Sequence, residues 1–204
     1  QMSCVRYPAP ASLEMQTLAG LVDFIHSEDG AGVAIISIES PIEVSLRSLL
    51  KDTQQRHIFA RATYGMPTFP FNSVRSVEEF IIGLQAKFVP TDELKEVLKI
   101  VGNLKDEAVK TLADDGVSQR VTVSTGMANV ENKIVPNPVT LKPFRTFPDV
   151  DQPESQFVLR MSSGGGCALY EADGDQWKAE AMTNIKEWLT EMLMDMTNPP
   201  AILA

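Results

Sequence analysis

Cysteine is scarce in this chain of 204 residues, which contains only Cys4 and Cys167. Two cysteines so far apart do not make the dense disulfide framework of small secreted domains, so we expect free thiols in a reducing compartment. A metal centre is not expected either, because neither His26 nor His57 has a Cys, Asp or second His at ligand spacing. We therefore predict no metal and no cofactor.

Long apolar runs are also missing. Charged residues interrupt even the longest apolar run, which is far shorter than the ~20 residues needed to span a bilayer. The N-terminal residues lack the basic-then-apolar pattern of a signal peptide. We expect a protein that does not enter a membrane and that works in the cytoplasm.

Acidic residues outnumber basic residues in this chain. Lys and Arg number 18 against 27 Asp and Glu, the formal net charge is −9, and no two basic residues are adjacent. An acidic field of this size repels a phosphate backbone, and affinity for nucleic acid depends on neutralised phosphates. Duplex DNA is therefore not expected as a partner, whereas a local basic pocket for a small anion remains compatible with this charge.

The residues that are present suffice for a full core, since 44% are hydrophobic and 22% are charged. Residues 1–11 contain Pro8 and Pro10 without periodicity and are predicted to form an extended N-terminal arm. Residues 12–198 are predicted to form a single domain, and residues 199–204 a C-terminal tail.

Hydrophobic periodicity predicts an α+β fold. Helices are expected from Ser12 to near Gly30, from Ser76 to before Pro90, from Thr91 to Gly102, and from Asp173 or Asp175 to Asn198. Strands are expected at 32–38, 42–46, 56–64, 117–125, 134–144, 156–161 and 167–172. The result is a mostly antiparallel sheet of about six or seven strands with three or four packed helices. The loop 66–72, in which aromatics alternate with prolines, is expected on the sheet edge.

The least regular part of the chain is the proline-rich strip, residues 143–157. Its prolines fix φ and remove backbone donors, so it is expected to run as a stiff strand-loop-strand, either as a fold-defining crossover or as a binding surface. Arg145 is then either buried against a carboxylate such as Glu154 or presented to an anionic partner. The candidate ligand or partner residues are Arg145, Thr146, Phe147, Gln152, Glu154, Ser155 and Gln156.

No catalytic residue is predicted. Asp114-Asp115 and the acidic residues of 171–175 lie where turns and helix N-termini favour Asp, and 163–166 lacks the lysine of a phosphate-binding loop. The last helix carries a tryptophan- and methionine-rich apolar face, which predicts core packing or an oligomer interface. We expect a homo-oligomer formed through this helix or through the N-terminal arm.

Several segments together resemble tailed-phage and prophage proteins of unknown function, which we identify with the YfdQ-like family. The likeness covers most of the chain after residue 60 and is carried by Phe80–Phe88, Val101–Leu104, Asn137-Pro138-Val139, Leu141–Phe147, Val150–Met161 and Ala168–Gly174 with Trp177 and Ala181. The resemblance brings no catalytic residues with it. It implies a phage-encoded protein acting in the cytoplasm of an infected bacterium.

These observations together favour binding over catalysis. The expected function is that of a non-enzymatic, early-type bacteriophage accessory protein that antagonises host antiviral defence, either by sequestering a small nucleotide signal or by binding a defence protein. The alternative is an accessory protein of phage DNA replication or recombination. A pocket with convergent Arg or Lys would favour nucleotide capture, and a continuous basic groove with exposed aromatics would favour single strands.

Overall fold

A computed structural model of the chain describes residues 11–27, 34–50, 54–65, 67–103, 119–124, 130–162 and 166–204. Almost all of the predicted arm, Cys4 and the predicted turn at Asp114-Asp115 lie outside the described residues. The described part contains helices and strands in comparable measure, which confirms the α+β class.

The four helices of the described part are α1 (Leu18–Ser27), α2 (Val77–Lys87), α3 (Asp92–Gly102) and α4 (Gln176–Met192). Its strands are β1 (Leu13–Met15), β2 (Ala34–Ser40), β3 (Glu43–Ser48), β4 (Ile58–Thr63), β5 (Arg75–Ser76), β6 (Gln119–Ser124), β7 (Val130–Val135), β8 (Val139–Leu141), β9 (Ser155–Met161), β10 (Gly166–Glu171) and β11 (Ala201–Leu203).

The chain divides into two compact units, where the sequence predicted one domain over 12–198. The first unit comprises residues 1–66, 145–151 and 178–204, and the second comprises 67–144 and 152–177. Each unit has its own sheet and its own cluster of buried apolar side chains. The strands that were expected in one sheet are therefore distributed over two main sheets and the β6–β7 pair.

The sheet of the first unit has five strands in the order β1-β4-β3-β2-β11. The strands predicted at 32–38, 42–46 and 56–64 are confirmed as β2, β3 and β4, which pair as an antiparallel meander. Two short parallel strands extend it: β1 pairs with β4, and β11 pairs with β2. Both correct the sequence prediction, because Leu13–Met15 was assigned to a helix and Ala201–Leu203 to a tail. Three residues carry too little periodicity to reveal such edge strands.

One face of this sheet packs with α1 and α4. Alternate residues of β2, β3 and β4 supply the sheet side of the core, and helical spacing supplies the other side. The buried set includes Leu18, Leu21, Val22, Ile25, Ile36, Ile38, Val44, Leu46, Ala60, Ala62, Ile185, Leu189 and Leu193. The first predicted helix is thus confirmed as a buried amphipathic helix, although it begins at Leu18 and not at Ser12.

The first turn of α1 is capped by a residue far away in sequence. The Asp149 carboxylate accepts hydrogen bonds from the backbone N–H of Leu18 at 3.2 Å and of Ala19 at 3.1 Å. Within the same turn, the Thr17 hydroxyl accepts from the Gly20 N–H at 3.1 Å. These acceptors satisfy donors that have no intrahelical partner, and a carboxylate there is also favoured by the helix dipole.

We expect Asp149→Ala to lower the free energy of unfolding by about 1–2 kcal/mol, because the substitution removes both cap hydrogen bonds and the favourable charge. Chemical denaturation measures the change. Asp23→Ala is the matched control, because Asp23 is an exposed acid in the same helix, beyond its first turn. Equal stabilities of the two variants would contradict the capping role.

The second unit is built on the antiparallel sheet β5-β10-β9-β8. Its helix α2 begins at the predicted capping box, where the Ser76 hydroxyl accepts from the Glu79 N–H at 3.3 Å. Helix α3 begins at Thr91, whose hydroxyl accepts from the Leu94 N–H at 3.1 Å. Both predicted helix starts are confirmed. β6 and β7 pair separately as an antiparallel ribbon.

Five phenylalanines form the centre of the second unit. Phe71 stacks on Phe157 with ring centroids 5.2 Å apart, and Phe69 meets Phe88 edge-on at 5.1 Å and Phe80 at 5.8 Å. The loop that holds Phe69 and Phe71 was expected on the sheet edge, and it does border β10 there, since the Asn72 N–H donates to the carbonyl of Leu169 at 2.8 Å. Its aromatic rings are core components, because edge-to-face and offset ring pairs favour burial together.

Gly83 of α2 allows this cluster to close. A Cβ atom at this position would lie 2.9 Å from the ring of Phe69, which is closer than carbon atoms approach without displacement. The helix can therefore pack directly on the aromatic loop only because this residue has no side chain.

Most of the apolar face of helix α4 is buried within the chain itself. Ile185, Leu189 and Leu193 lie in the core of the first unit. Among the methionines of this region, Met192 and Met194 are exposed. The face on which self-association was predicted is therefore largely covered, and a homo-oligomer through this helix stays a prediction that only these exposed methionines support.

Candidate binding site

Three of the seven predicted site residues are buried in the first unit. Arg145 is 3% exposed, and Thr146 and Phe147 are fully buried. The ring of Phe147 lies in the core with its centroid 6.0 Å from that of Tyr64. Such burial fits the crossover interpretation of the strip, because a ligand cannot contact these side chains unless the unit opens.

Residues 145–151 are tied to three elements of the first unit. The Thr146 hydroxyl donates to the carbonyl of Pro41, in the turn between β2 and β3, at 2.5 Å. Asp149 caps α1, and the Asn184 amide of α4 donates to the carbonyl of Asp151 at 3.0 Å. This short stretch therefore links the sheet and both helices of the first unit.

The other predicted residues belong to the second unit and differ in exposure. Gln152 and Ser155 are buried, and Ser155 pairs with Leu141 across β9 and β8. Glu154 and Gln156 are exposed, the Glu154 side chain by 58%. Of the seven predicted site residues, only these last two are exposed.

Glu154 and Gln156 belong to an exposed sheet surface that we call the Tyr170 face. Register places Gln156 opposite Thr140 of β8, and Val158 opposite Tyr170 of β10. Side chains alternate along a strand, so these residues share one side of the sheet while Phe157, Leu159 and Leu169 pack in the core on the other. The Tyr170 face consists of Thr140, Lys142, Glu154, Gln156, Val158 and Tyr170, and half-buried Arg160 lies on the same side of β9 beyond Val158.

The chemistry of the Tyr170 face is that of a hydrogen-bonding surface with one aromatic ring. Tyr170 is 38% exposed and stands beside half-buried Val158. The amide of Gln156 offers both a donor and an acceptor. Lys142 Nζ lies 3.4 Å from Glu154 Oε1, with the Lys142 side chain 30% exposed. An ion pair this exposed is worth only about 0–1 kcal/mol.

Sequence reasoning missed Thr140, Lys142 and Tyr170. Alternation within the predicted strand 167–172 could place Tyr170 opposite to Leu169, but only the pairing of β8, β9 and β10 brings it beside Gln156. The missing information was the register between strands, which depends on the fold as a whole.

Both histidines and one of the two cysteines lie in the described part. His26 lies at the end of α1, with its Nε2 3.4 Å from the carbonyl oxygen of Met192. Among the residues described, no three His, Cys, Asp or Glu side chains come close enough together to hold a metal ion. Cys167 is a free thiol inside the apolar core of the second unit.

Burial raises the pKa of the Cys167 thiol from 9.0 to about 11. Below pH 9 we therefore expect site-resolved mass spectrometry to find this residue resistant to iodoacetamide in the folded protein and modified in concentrated urea. Equal labelling with and without urea would contradict the burial.

The folded state retains the proton of the Cys167 thiol more strongly than the unfolded state does. The contribution of this thiol to the free energy of unfolding is therefore complete below pH 9 and is lost as the pH rises through about 11.

A second surface feature lies on the outer side of α4. It is an open depression of about 530 Å³ that is lined by Thr183, Lys186, Glu187, Thr190, Glu191 and Met194. Its charged side chains have both signs, so its lining does not select an anion.

No helix within the described ranges is long and apolar enough to cross a membrane.

Comparison with known proteins assigns the chain to no family. No protein-family model matches the chain, and no curated protein or solved structure matches it. The candidate site therefore depends on the geometry of the Tyr170 face alone.

Proposed function

We propose that this chain is a non-enzymatic bacteriophage accessory protein that antagonises host antiviral defence by sequestering a small nucleotide signal on the Tyr170 face. The observation that carries the proposal is the register of β8, β9 and β10, which places Tyr170, Gln156 and Lys142 on one side of the sheet, with Gln156 between the other two. An aromatic ring, an amide and a cation on one surface are the groups that bind a base and a phosphate.

The charge of the chain supports a small ligand over a polymer. A net charge of −9 opposes the approach of a strand with many phosphates. One or two phosphates meet much less repulsion and can be balanced locally by Lys142. The resemblance to phage proteins supplies the biological setting, in which a captured signal would belong to the infected bacterium.

Two otherwise identical bacterial strains test this proposal, one with and one without a defence system that signals through a nucleotide. Expression of the protein should raise the plating efficiency of a sensitive phage only in the strain with the defence system. Tyr170→Ala should abolish the effect, and Ile82→Ala, which truncates an exposed apolar residue of α2, should preserve it.

Full protection by Tyr170→Ala would overturn the Tyr170 face as the site. Protection that depends on Tyr170 but leaves the nucleotide concentration in the cell extracts unchanged would overturn sequestration and favour a defence protein as the bound partner. Absence of any protection would overturn the anti-defence function.

A further inference from the structure

Strand β11 forms one edge of the five-stranded sheet of the first unit, and this edge is bare. Within the described residues only β2 pairs with β11, so the backbone groups on its outer edge face no other strand. Unpaired N–H and C=O groups of an edge are a template for a strand of another chain. We propose that two copies of this chain associate through their β11 strands, which pair antiparallel around a two-fold axis and join two five-stranded sheets into one of ten strands.

Two other sheet edges of the described part are protected in ways that β11 is not. At the opposite edge of the same sheet, β1 carries the exposed carboxylate of Glu14, and charge on an edge disfavours pairing. Beyond β8 in the second unit, the Val89 N–H donates to the carbonyl of Lys142 at 2.8 Å, and the Phe144 N–H donates to the carbonyl of Lys87 at 2.9 Å. The residues of β11 are uncharged, and the register with β2 contains no bulge.

The distribution of charge favours a second copy as the partner of this edge. The chain has a net charge of −9, so two copies repel each other over most of their surfaces. Residues 196–204, which include β11, contain no Asp, Glu, Lys, Arg or His. The β11 edge is therefore a surface on which two acidic chains can meet without bringing like charges into contact.

The side chains of β11 are complementary to those of a second copy. A two-fold axis at Ile202 places this residue opposite its equivalent and places Leu203 opposite Ala201 of the second copy. Ile202 packs against the core of the first unit, so alternation puts Leu203, which is 53% exposed, on the other side of the sheet. The small side chain of Ala201 leaves room there for the leucine, and the pairing covers an exposed apolar group.

The contact is short, because β11 has only three residues. Stable interfaces bury about 1,200–2,000 Å² in total, and three paired residues on each side bury less. We therefore expect a weak dimer whose population rises with protein concentration. This association does not depend on the proposed function, since β11 belongs to the first unit and the Tyr170 face to the second.

Sedimentation equilibrium of the full chain tests the pairing. Between about 1 and about 200 µM, the mean mass should rise from the 22.4 kDa of one chain toward twice that value. Leu203→Lys places a charge on the edge and should keep the protein monomeric throughout. Leu50→Lys is the matched control, because Leu50 is also 53% exposed in the same unit but follows β3, an interior strand. The control should associate like the wild type.

Disulfide cross-linking tests the register. Directly opposed residues of an antiparallel pair have Cβ atoms about 4.5–5.5 Å apart, and diagonal neighbours lie about 7–8 Å apart, too far for a disulfide. In chains that carry Cys4→Ser, a mixture of Ala201→Cys and Leu203→Cys proteins should therefore form a covalent dimer much faster than either protein alone. Cys167 is buried and should not compete.

A wild-type mass that stays at 22.4 kDa over the whole concentration range would overturn the dimer. A dimer that persists in folded Leu203→Lys, or that Met194→Lys dissociates in its place, would assign the contact to another surface and contradict pairing through β11. Cross-linking of Leu203→Cys alone as fast as that of the mixture would exclude the two-fold register at Ile202. Thermal melts verify that each variant is folded.

Discussion

Phe147→Ala should lower the free energy of unfolding by about 3–5 kcal/mol, the usual cost of truncating a buried phenylalanine. The side chain is fully buried in the core of the first unit and packs near the ring of Tyr64. Its removal leaves a cavity in the stretch that links α1, α4 and the β2–β3 turn. A loss of this size is a large fraction of the stability of an ordinary domain.

Chemical denaturation of the variant beside Leu50→Ala measures the effect, because Leu50 is an exposed apolar residue of the same unit. The control should change stability by less than about 0.5 kcal/mol. If Phe147→Ala were as stable as Leu50→Ala, residues 145–151 would not be part of the core.

Arg145→Ala should also destabilise the protein, by about 3–5 kcal/mol. The Arg145 side chain is 3% exposed, and a guanidinium is buried at this level only when surrounding groups compensate its charge. Truncation leaves those groups without their cation. Arg145→Lys should recover only part of the loss, since an ammonium group cannot reproduce the planar fork of the guanidinium.

Thermal melts of both Arg145 variants decide between the two roles of this residue. Arg56→Ala is the matched control, because Arg56 is exposed in the same unit and its guanidinium donates to the carbonyl of Ser48, at 3.2 Å, outside the apolar core. An Arg145→Ala protein that melts like the wild type but gives no protection in the plating assay would show that the arginine serves the ligand and not the fold.

Local signals in the sequence predicted much of the fold. Ser76 and Thr91 are helix caps because of their own hydroxyls, and both lie where the sequence placed them. The meander of β2, β3 and β4 follows from alternation and a short turn. In each case the interactions that decide the structure lie within a few residues.

Features that depend on distant residues were not predictable in this way. The cap of α1 comes from Asp149, which is 131 residues from Leu18 in sequence. Strand β11 exists because β2 offers it an edge, and Phe69 and Phe71 are buried because other phenylalanines meet them. Contacts between residues far apart in sequence select these arrangements, and the intrinsic propensities of single residues do not predict such contacts.

The candidate site shows the same division. The sequence indicated that the proline-rich strip has specific partners, and it left open whether these are the fold or a ligand. Burial of Arg145 and Phe147 supports the fold as the partner, while Gln156 lies on the surface. Tyr170 and Lys142 enter the candidate site only through the register of three strands.

Mass spectrometry of the small molecules released from the protein, purified out of phage-infected cells, tests nucleotide sequestration most directly. The wild type and the Ile82→Ala protein should release a nucleotide in near-stoichiometric amount, and Tyr170→Ala should release almost none. Recovery of wild-type protein without any nucleotide from cells in which the defence signal has accumulated would contradict sequestration.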